Sequence, residues 1–460
     1  MVDLATLIEI GTPLAGAAGG LGWARVKAPG VYWSLVGLPV TMGRFHFTYA
    51  STMDVCGLTV APSRLRAFMV RNLARREVQP VPPKIRRVAG SATGLRVRLR
   101  LPAGLEPDDV AAASNRLRHA WGVHAVHVVE IKPGVVELRM TGYDVLRTVR
   151  MPRRLPSGPM MVPVALREDG TAFVRNYREI PHALTLGANQ SGKSMYQRNL
   201  IKQLAKLPVA LVGIDCKRGV EQTPYAPRLS ALATDPDQAA GLLDALVGEM
   251  EARFDLLKEY QGTALSTPDE EITSDIWGLP KKVRPVPIVV LVDEVAELFL
   301  TATKKDEERR DRMVTQLIRL AQMARAVGIY LEICGQRFGA ELGKGATMLR
   351  AQLTGRVVHR VNDKQTAEMG LGDISPEAMH AATAIAADRP GVAVAGDASG
   401  GWTHIRTPLT SITDTAAVCR AHADLVPDLP ALAPFRPDIP ALPESTDDAV
   451  PLTLPRPVTE

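Results

Sequence analysis

The stretch LTLGANQSGKSM, residues 184–195, decides how the chain is read. Gly187, Gly192, Lys193 and Ser194 stand at the fixed positions of the pattern G-x-x-x-x-G-K-[ST]. The order has a physical reason. A strand delivers the chain, a glycine-bounded loop turns its backbone N–H groups around phosphate oxygens, and a helix begins with the positive end of its dipole facing them. On this reading Gly187, Ala188, Asn189, Gln190, Ser191, Gly192, Lys193 and Ser194 hold the phosphates of ATP. Lys193 neutralises the terminal phosphates, and the Ser194 hydroxyl sits on Mg²⁺. The flanks supply what the motif needs: an apolar strand at 183–186 and a helix from Tyr196 onward.

Binding phosphate is not cleaving it, and the acids for cleavage lie farther along. Residues 287–292 form an apolar run leading straight into Asp293 and Glu294. Asp293 suits Mg²⁺ or its water ligands, and Glu294 suits a water aimed at the γ-phosphate. The second acid, which GTPases and many small-molecule kinases lack, favours an ATP-hydrolysing motor. The pair could equally open the helix that follows as N-cap residues. One strand later, residues 329–334 lead into Gly335-Gln336-Arg337. Polar residues at the carboxyl end of a parallel strand face the ligand crevice, so Gln336 is a candidate γ-phosphate sensor. Strands at 209–215, 288–293 and 329–334 alternate with helices at 238–257 and 307–326. That pattern predicts an α/β fold with a parallel sheet covered by helices.

On the N-terminal side the period changes. Residues 95–101 alternate as a strand, 107–120 read as a helix, and 124–131 and 135–140 form a hairpin around Pro133-Gly134. Together they make a small βαββ module. Residues 64–100 hold eleven Lys and Arg against one acid, Glu77. Such a run suits DNA phosphates or anionic lipid headgroups, or is simply a solvated face. Pro80-Val-Pro-Pro83 marks a linker within it. Residues 4–24 approach the length of a membrane span but contain Glu9, and 31–42 are apolar yet short. They read either as membrane-associated or as core segments, and no signal-peptide cleavage pattern is present.

The 460 residues have 46% hydrophobic and 23% charged content and a net charge of +6, an ordinary globular balance that allows a polyanionic partner. Cys56, Cys216, Cys334 and Cys419 stand singly, so neither a disulfide framework nor a zinc site is indicated, and a reducing compartment fits. His124 and His127, three apart in a strand, point to opposite faces and suit no shared metal. Residues 427–460 hold nine prolines and are expected to be an extended, disordered tail.

These motifs, in this order, resemble the FtsK/SpoIIIE DNA-translocating ATPases, in particular the transfer proteins of actinobacterial conjugative plasmids and integrative elements. The resemblance runs from Pro181-His182 through residues 187–194, Asp215-Cys-Lys217 with Glu221, residues 248–254, Val292-Asp-Glu294 and residues 320–329 to Gly335-Gln-Arg337. It covers roughly residues 160–415. It implies a RecA-like P-loop NTPase core, a hexameric ring around double-stranded DNA with ATP at subunit interfaces, and an arginine supplied in trans. Arg356, which leads the strand 356–360, matches that arginine, with Arg337 as the alternative. Lys344 and Arg350 are candidate pore contacts to DNA. The expected layout is an apolar, membrane-associated segment (1–60, with 1–45 as the contact), a basic linker (61–84), the small module (85–150), the motor (160–420) and the tail (427–460). The expected function is ATP-driven DNA translocation in conjugal transfer at the cytoplasmic face of the cell membrane, with accessory transfer proteins as partners. Chromosome or plasmid segregation, or a DNA-binding ring gated by nucleotide, are the alternatives. Three departures stand out: Asn189-Gln190 replaces the commoner Thr-Gly, Phe338 stands where the family usually has Pro, and the tail cannot form the winged-helix domain that often ends such chains.

Overall fold

The structure is a computed structural model that describes residues 22–61, 80–261, 272–339, 342–396 and 400–439. It divides into two compact units, residues 1–203 with 353–410 and residues 204–352 with 411–460.

The first unit begins with the small module. Helix α1 (Leu38–Val55) precedes strands β1 (Lys84–Gly90) and β2 (Gly94–Arg100), helices α2 (Pro107–Ala112) and α3 (Ser114–Trp121), and the hairpin β3 (Ala125–Lys132) and β4 (Val135–Thr141). The sheet runs β1-β2-β4-β3, antiparallel throughout. Alternation puts Leu95, Val97, Leu99, Leu138 and Met140 on one face, where they pack with Val110, Leu117, Trp121, Phe45 and Met53. Each such side chain contributes about 1.5–3 kcal/mol by leaving water.

Three expectations are revised here. The module has a fourth strand, β1, hidden in the sequence because a register shift between Ile85 and Arg87 breaks its period. The single helix expected at 107–120 is two, meeting at Ala113 (φ −84°, ψ −3°). Residues 38–58 are not a segment apart from the module, since Phe45, Tyr49, Met53, Cys56 and Leu58 sit in its core. The apolar 31–42 stretch is helical, with Trp33 buried and its Nε1 donating to the Ser91 carbonyl at 3.1 Å. No helix among the described residues is long and apolar enough to cross a membrane. Most of the 4–24 stretch and of the 61–84 linker lies outside the described residues.

Past the module come the hairpin β5 (Met161–Arg167) and β6 (Ala172–Asn176), strand β7 (His182–Leu186) and helix α4 (Lys193–Leu204). The chain then builds the second unit from β8 (Ala210–Ile214), β9 (Ala231–Ala233), α5 (Pro236–Gln261), β10 (Ile288–Val292), α6 (Val295–Phe299), α7 (Lys304–Met323), β11 (Ile329–Gly335) and α8 (Ala346–Gln352). Here the strands run β11-β10-β8-β9, all parallel, and β8, β10 and β11 are buried along their whole length. Continuous Val/Ile/Leu runs follow from a sheet covered on both faces. Helix α7 starts three residues earlier than its apolar period suggests, because Thr303 and Asp306 form a capping box.

Back in the first unit are β12 (Gly355–His359), α9 (Lys364–Leu371), α10 (Pro376–Thr383), β13 (Val392–Gly396) and β14 (Trp402–Arg406). There the order is β6-β5-β14-β13-β12-β7. The expected α/β fold is present, but in this unit only β7 and β12 pair in parallel, and the remaining pairs are antiparallel. The second unit closes with α11 (Ile412–Ala421) and a 3₁₀ turn at Pro430–Phe435. That turn corrects the extended-tail reading over its own length: Leu432 is buried, and the Phe435 ring lies where a side chain on Gly241 would reach. Residues 440–460 lie outside the described residues.

Candidate nucleotide-binding site

Strand β7, buried at all five positions, ends at Leu186, immediately before Gly187. A Cβ on Gly187 would stand 2.5 Å from Ser191 Oγ and 2.8 Å from His359 Cβ, so only glycine fits. Gln190 (φ 60°) and Gly192 (φ 102°) then turn left-handed, and a Cβ on Gly192 would meet the Gly391 nitrogen at 2.3 Å. The loop is pinned from outside. Ala188 N–H donates to the Arg360 carbonyl at 3.0 Å, Gly391 N–H donates to the Ser191 carbonyl at 2.9 Å, and Arg360 Nη2 donates to the Asn189 carbonyl at 3.1 Å. By contrast the N–H groups of Asn189, Gln190 and Gly192 enter no backbone–backbone hydrogen bond among the described residues.

These residues border a cavity of about 520 Å³, within the range of nucleotide-sized sites. Among the described residues its walls carry Arg147, Lys193, Arg198 and Arg406 and no Asp or Glu, together with the apolar Val149, Met195, Pro390 and Leu409. Four cations and a row of N–H groups suit a polyphosphate, and the apolar wall suits the rest of a nucleotide. Arg406 is fixed by donating to the carbonyls of Leu146 (2.8 Å), Arg147 (3.0 Å) and Pro390 (3.2 Å). Beneath the loop His359 is fully buried, with Nδ1 3.2 Å from the Val392 carbonyl. Burial, and secondarily the Lys193 charge, push its pKa down to about 4, so the ring is neutral at neutral pH.

In the second unit β10 delivers Asp293 and Glu294, both buried despite their charge. Asp293 N–H prolongs the β8 pairing by donating to the Ile214 carbonyl at 3.1 Å. Glu294 has the backbone of an N-cap, yet its side chain makes no capping hydrogen bond. Instead Oε1 accepts the Gln336 N–H at 3.1 Å, and Oε2 lies 3.5 Å from Lys217 Nζ. Lys217 is placed by Asp215, a wholly buried carboxylate that accepts the backbone N–H groups of Lys217 (3.2 Å), Glu221 (2.9 Å) and Gln222 (3.1 Å).

Residues 145–340 match the FtsK/SpoIIIE family, and residues 18–142 match the actinomycete conjugal transfer protein N-terminal domain. Transfer protein TraSA of Streptomyces ambofaciens is 56% identical over 411 residues, 89% of this chain and 98% of its own length. The chain belongs to the FtsK/SpoIIIE family. A sporulation regulatory protein of Streptomyces azureus is 68% identical over 283 residues, covering 62% of this chain and 89% of its own. DNA translocase FtsK of Helicobacter pylori (strain J99) is 32% identical over 216 residues, 45% of this chain and 24% of its own. The FtsK/SpoIIIE match makes the chain an ATP-binding NTPase and spans both the 187–194 loop and the Asp293-Glu294 pair.

Other expected site residues fall as follows. Gln336 is exposed, and its backbone N–H is what meets Glu294. Phe338, the departure from the family's usual proline, is buried with its ring 5.9 Å from that of Phe299, filling core volume. Arg350 donates to the Phe338 carbonyl at 3.1 Å, while Lys344 is exposed. Arg356 does not stand on an edge strand: β12 lies between β7 and β13, and Arg356 is 5% exposed, 3.6 Å from Asp373. It lines a separate cavity of about 710 Å³, near the opposite end of β12 from the phosphate loop. Arg337 is exposed. Sequence reasoning missed Arg147, Arg198, Arg360 and Arg406, which no motif marks, and left Asp215 and Lys217 without roles.

Proposed function

We propose that the chain is an ATP-driven double-stranded DNA translocase acting in conjugal transfer of a mobile element. The observation that carries it is the cationic cavity at the 187–194 loop in a chain 56% identical to a transfer protein along nearly its whole length. The family match and the DNA translocase among its relatives support DNA as the partner. The reading extends to a homo-hexamer that works at the cytoplasmic face of the cell membrane, with residues 1–45 as the membrane contact and accessory transfer proteins beside it.

ATP is the substrate. Backbone N–H groups of the loop and Lys193 hold its β and γ phosphates. Ser194 offers a hydroxyl oxygen and Asp293 a carboxylate oxygen of the kind that would hold Mg²⁺, which would supply positive charge against the phosphates. Glu294 orients a water and accepts its proton as the water oxygen bonds to the γ-phosphorus and the β–γ bridging bond breaks. Lys217 and the Gln336 N–H fix the Glu294 carboxylate for that task. Gln336 senses the γ-phosphate, Lys344 and Arg350 contact DNA, and Arg356 serves a neighbouring protomer from the cavity it lines, with Arg337 as the alternative.

The direct test is ATP-dependent displacement of a third strand from a triplex on linear duplex DNA. Displacement with ATP and none without it supports translocation. ATP turnover with no displacement points instead to a DNA-binding ring gated by nucleotide. For Arg356, mixing Arg356→Ala and Lys193→Ala protomers should restore part of the turnover each lacks. Failure to restore it while both still assemble rules out a role in trans.

A further inference from the structure

The N-terminal module carries a second cationic feature that nucleotide chemistry does not use. Its sheet buries one face under α1 to α3, and the opposite face is lined by cations in register along β1 and β2, while Arg139 on β4 is paired with Asp169 at 3.2 Å. Lys84 pairs with Arg100, Arg87 with Arg98, and Arg96 with Arg139. Strands β1, β2 and β4 hold seven Lys and Arg and a single acid, Glu137. That acid is buried between Arg98 Nε (2.8 Å) and Arg139 Nε (3.2 Å). Lys84, Arg87, Arg96 and Arg100 are exposed, and none has an ion pair among the described residues.

The composition of this face selects among polyanions. None of the three strands holds an aromatic residue, so no base of a single strand could stack there. A membrane surface is gripped by apolar anchors set among the cations. Here the exposed apolar Leu35, Val40 and Phe47 belong to the helical segment that packs on the other side of the sheet, and the exposed Val88 of β1 pairs with the core residue Val97 and so faces that same side. The exposed Arg96 and Arg100, four apart on β2 with Arg98 between them held by Glu137, stand about 13 Å from each other, about four times the ~3.4 Å axial step of charges along one DNA strand. Cations at that pitch, without stacking or insertion groups, fit the outside of a duplex.

We propose that this sheet face docks the phosphate backbone of duplex DNA, a sequence-independent contact separate from those of the motor. The proposal rests on the DNA-partner reading above and adds a second site to it. Arg87, Arg96 and Arg100 are its centre.

The test is binding of the full chain to a fluorescent duplex by anisotropy across a salt series. It compares the parent with the triple variants Arg87→Gln/Arg96→Gln/Arg100→Gln and Arg87→Lys/Arg96→Lys/Arg100→Lys. Each neutralised phosphate contributes about 0.9 to the slope of log K against log salt, so the Gln variant should lose about 2.7 from the slope. The Lys variant should keep the slope, and both should melt at the parental temperature. Three results overturn the proposal. An unchanged slope in the Gln variant refutes the site while leaving the DNA reading intact. A Gln variant that still binds duplex but loses binding to phosphatidylserine vesicles assigns the face to membrane. A parent that binds no duplex at all refutes both the site and the proposed function.

Discussion

Two loops that follow buried strands use one backbone device to opposite ends. After β8, Arg218 (φ 61°) and Gly219 (φ 72°) turn left-handed, and the gathered N–H groups close on the chain's own carboxylate, Asp215, at 2.9–3.2 Å. After β7, Gln190 (φ 60°) and Gly192 (φ 102°) turn the same way, but no acid lines the cavity the loop borders. The first loop supplies its anion from within and is a finished part that presents Lys217 to Glu294. The second gathers no carboxylate among the described residues that line its cavity, and its shape suits an anion from outside. A cluster of inward N–H groups is therefore a ligand site only where the chain has not already filled it.

Lys193→Ala removes the motif's own cation from the cavity, and steady-state phosphate release should fall by at least about 10³. Parental turnover would show that the loop does not hold the scissile phosphates. Glu294→Gln keeps the shape of the side chain that the closed loop addresses through Lys217. ATP binding should persist, read by a fluorescent analogue, while turnover falls about 10². Normal turnover would move the base elsewhere.

Stability measurements sharpen the contrast further. His359 packs under the open loop with a folded pKa of about 4, below its unfolded value of 6.5. Its contribution is therefore complete above pH 6.5 and is lost as the pH falls from about 6.5 to about 4, by an amount on the order of 3 kcal/mol. Melting temperature against pH should show that loss, and His359→Gln should flatten it. An equally steep acid loss in the variant would assign the effect to other groups. Asp215→Asn, smaller again, exchanges charge-assisted bonds for neutral ones and should cost about 1.5–3 kcal/mol, read as a shift in denaturation midpoint. An unshifted midpoint would mean the loop does not depend on its internal anion.

What the sequence revealed and what it hid divide along contact distance. Residues 187–194 and the Asp293-Glu294 pair stand out in the sequence because each lies on a contiguous strand and the loop or helix that follows it, with residue types set by local chemistry. Arg147, Arg198 and Arg406 were not, because they reach the cavity from separate elements and only folding brings them together. Strand β1 was obscured by the shift between Ile85 and Arg87, and the role of α1 by the fact that an apolar helix reads alike whether it meets a core or a lipid. Asp215 did carry a signal, an acid four residues before a left-handed glycine, but a single such residue does not show which N–H groups it gathers.

The central claim is that the open loop turns over ATP in the service of moving duplex DNA. Its most direct test is the steady-state ATP hydrolysis rate of the full chain with and without linear double-stranded DNA, at equal protein and Mg²⁺-ATP. The account predicts a severalfold or greater rise with DNA that Lys193→Ala abolishes. An identical rate with and without DNA, in protein that demonstrably hydrolyses ATP, would contradict it.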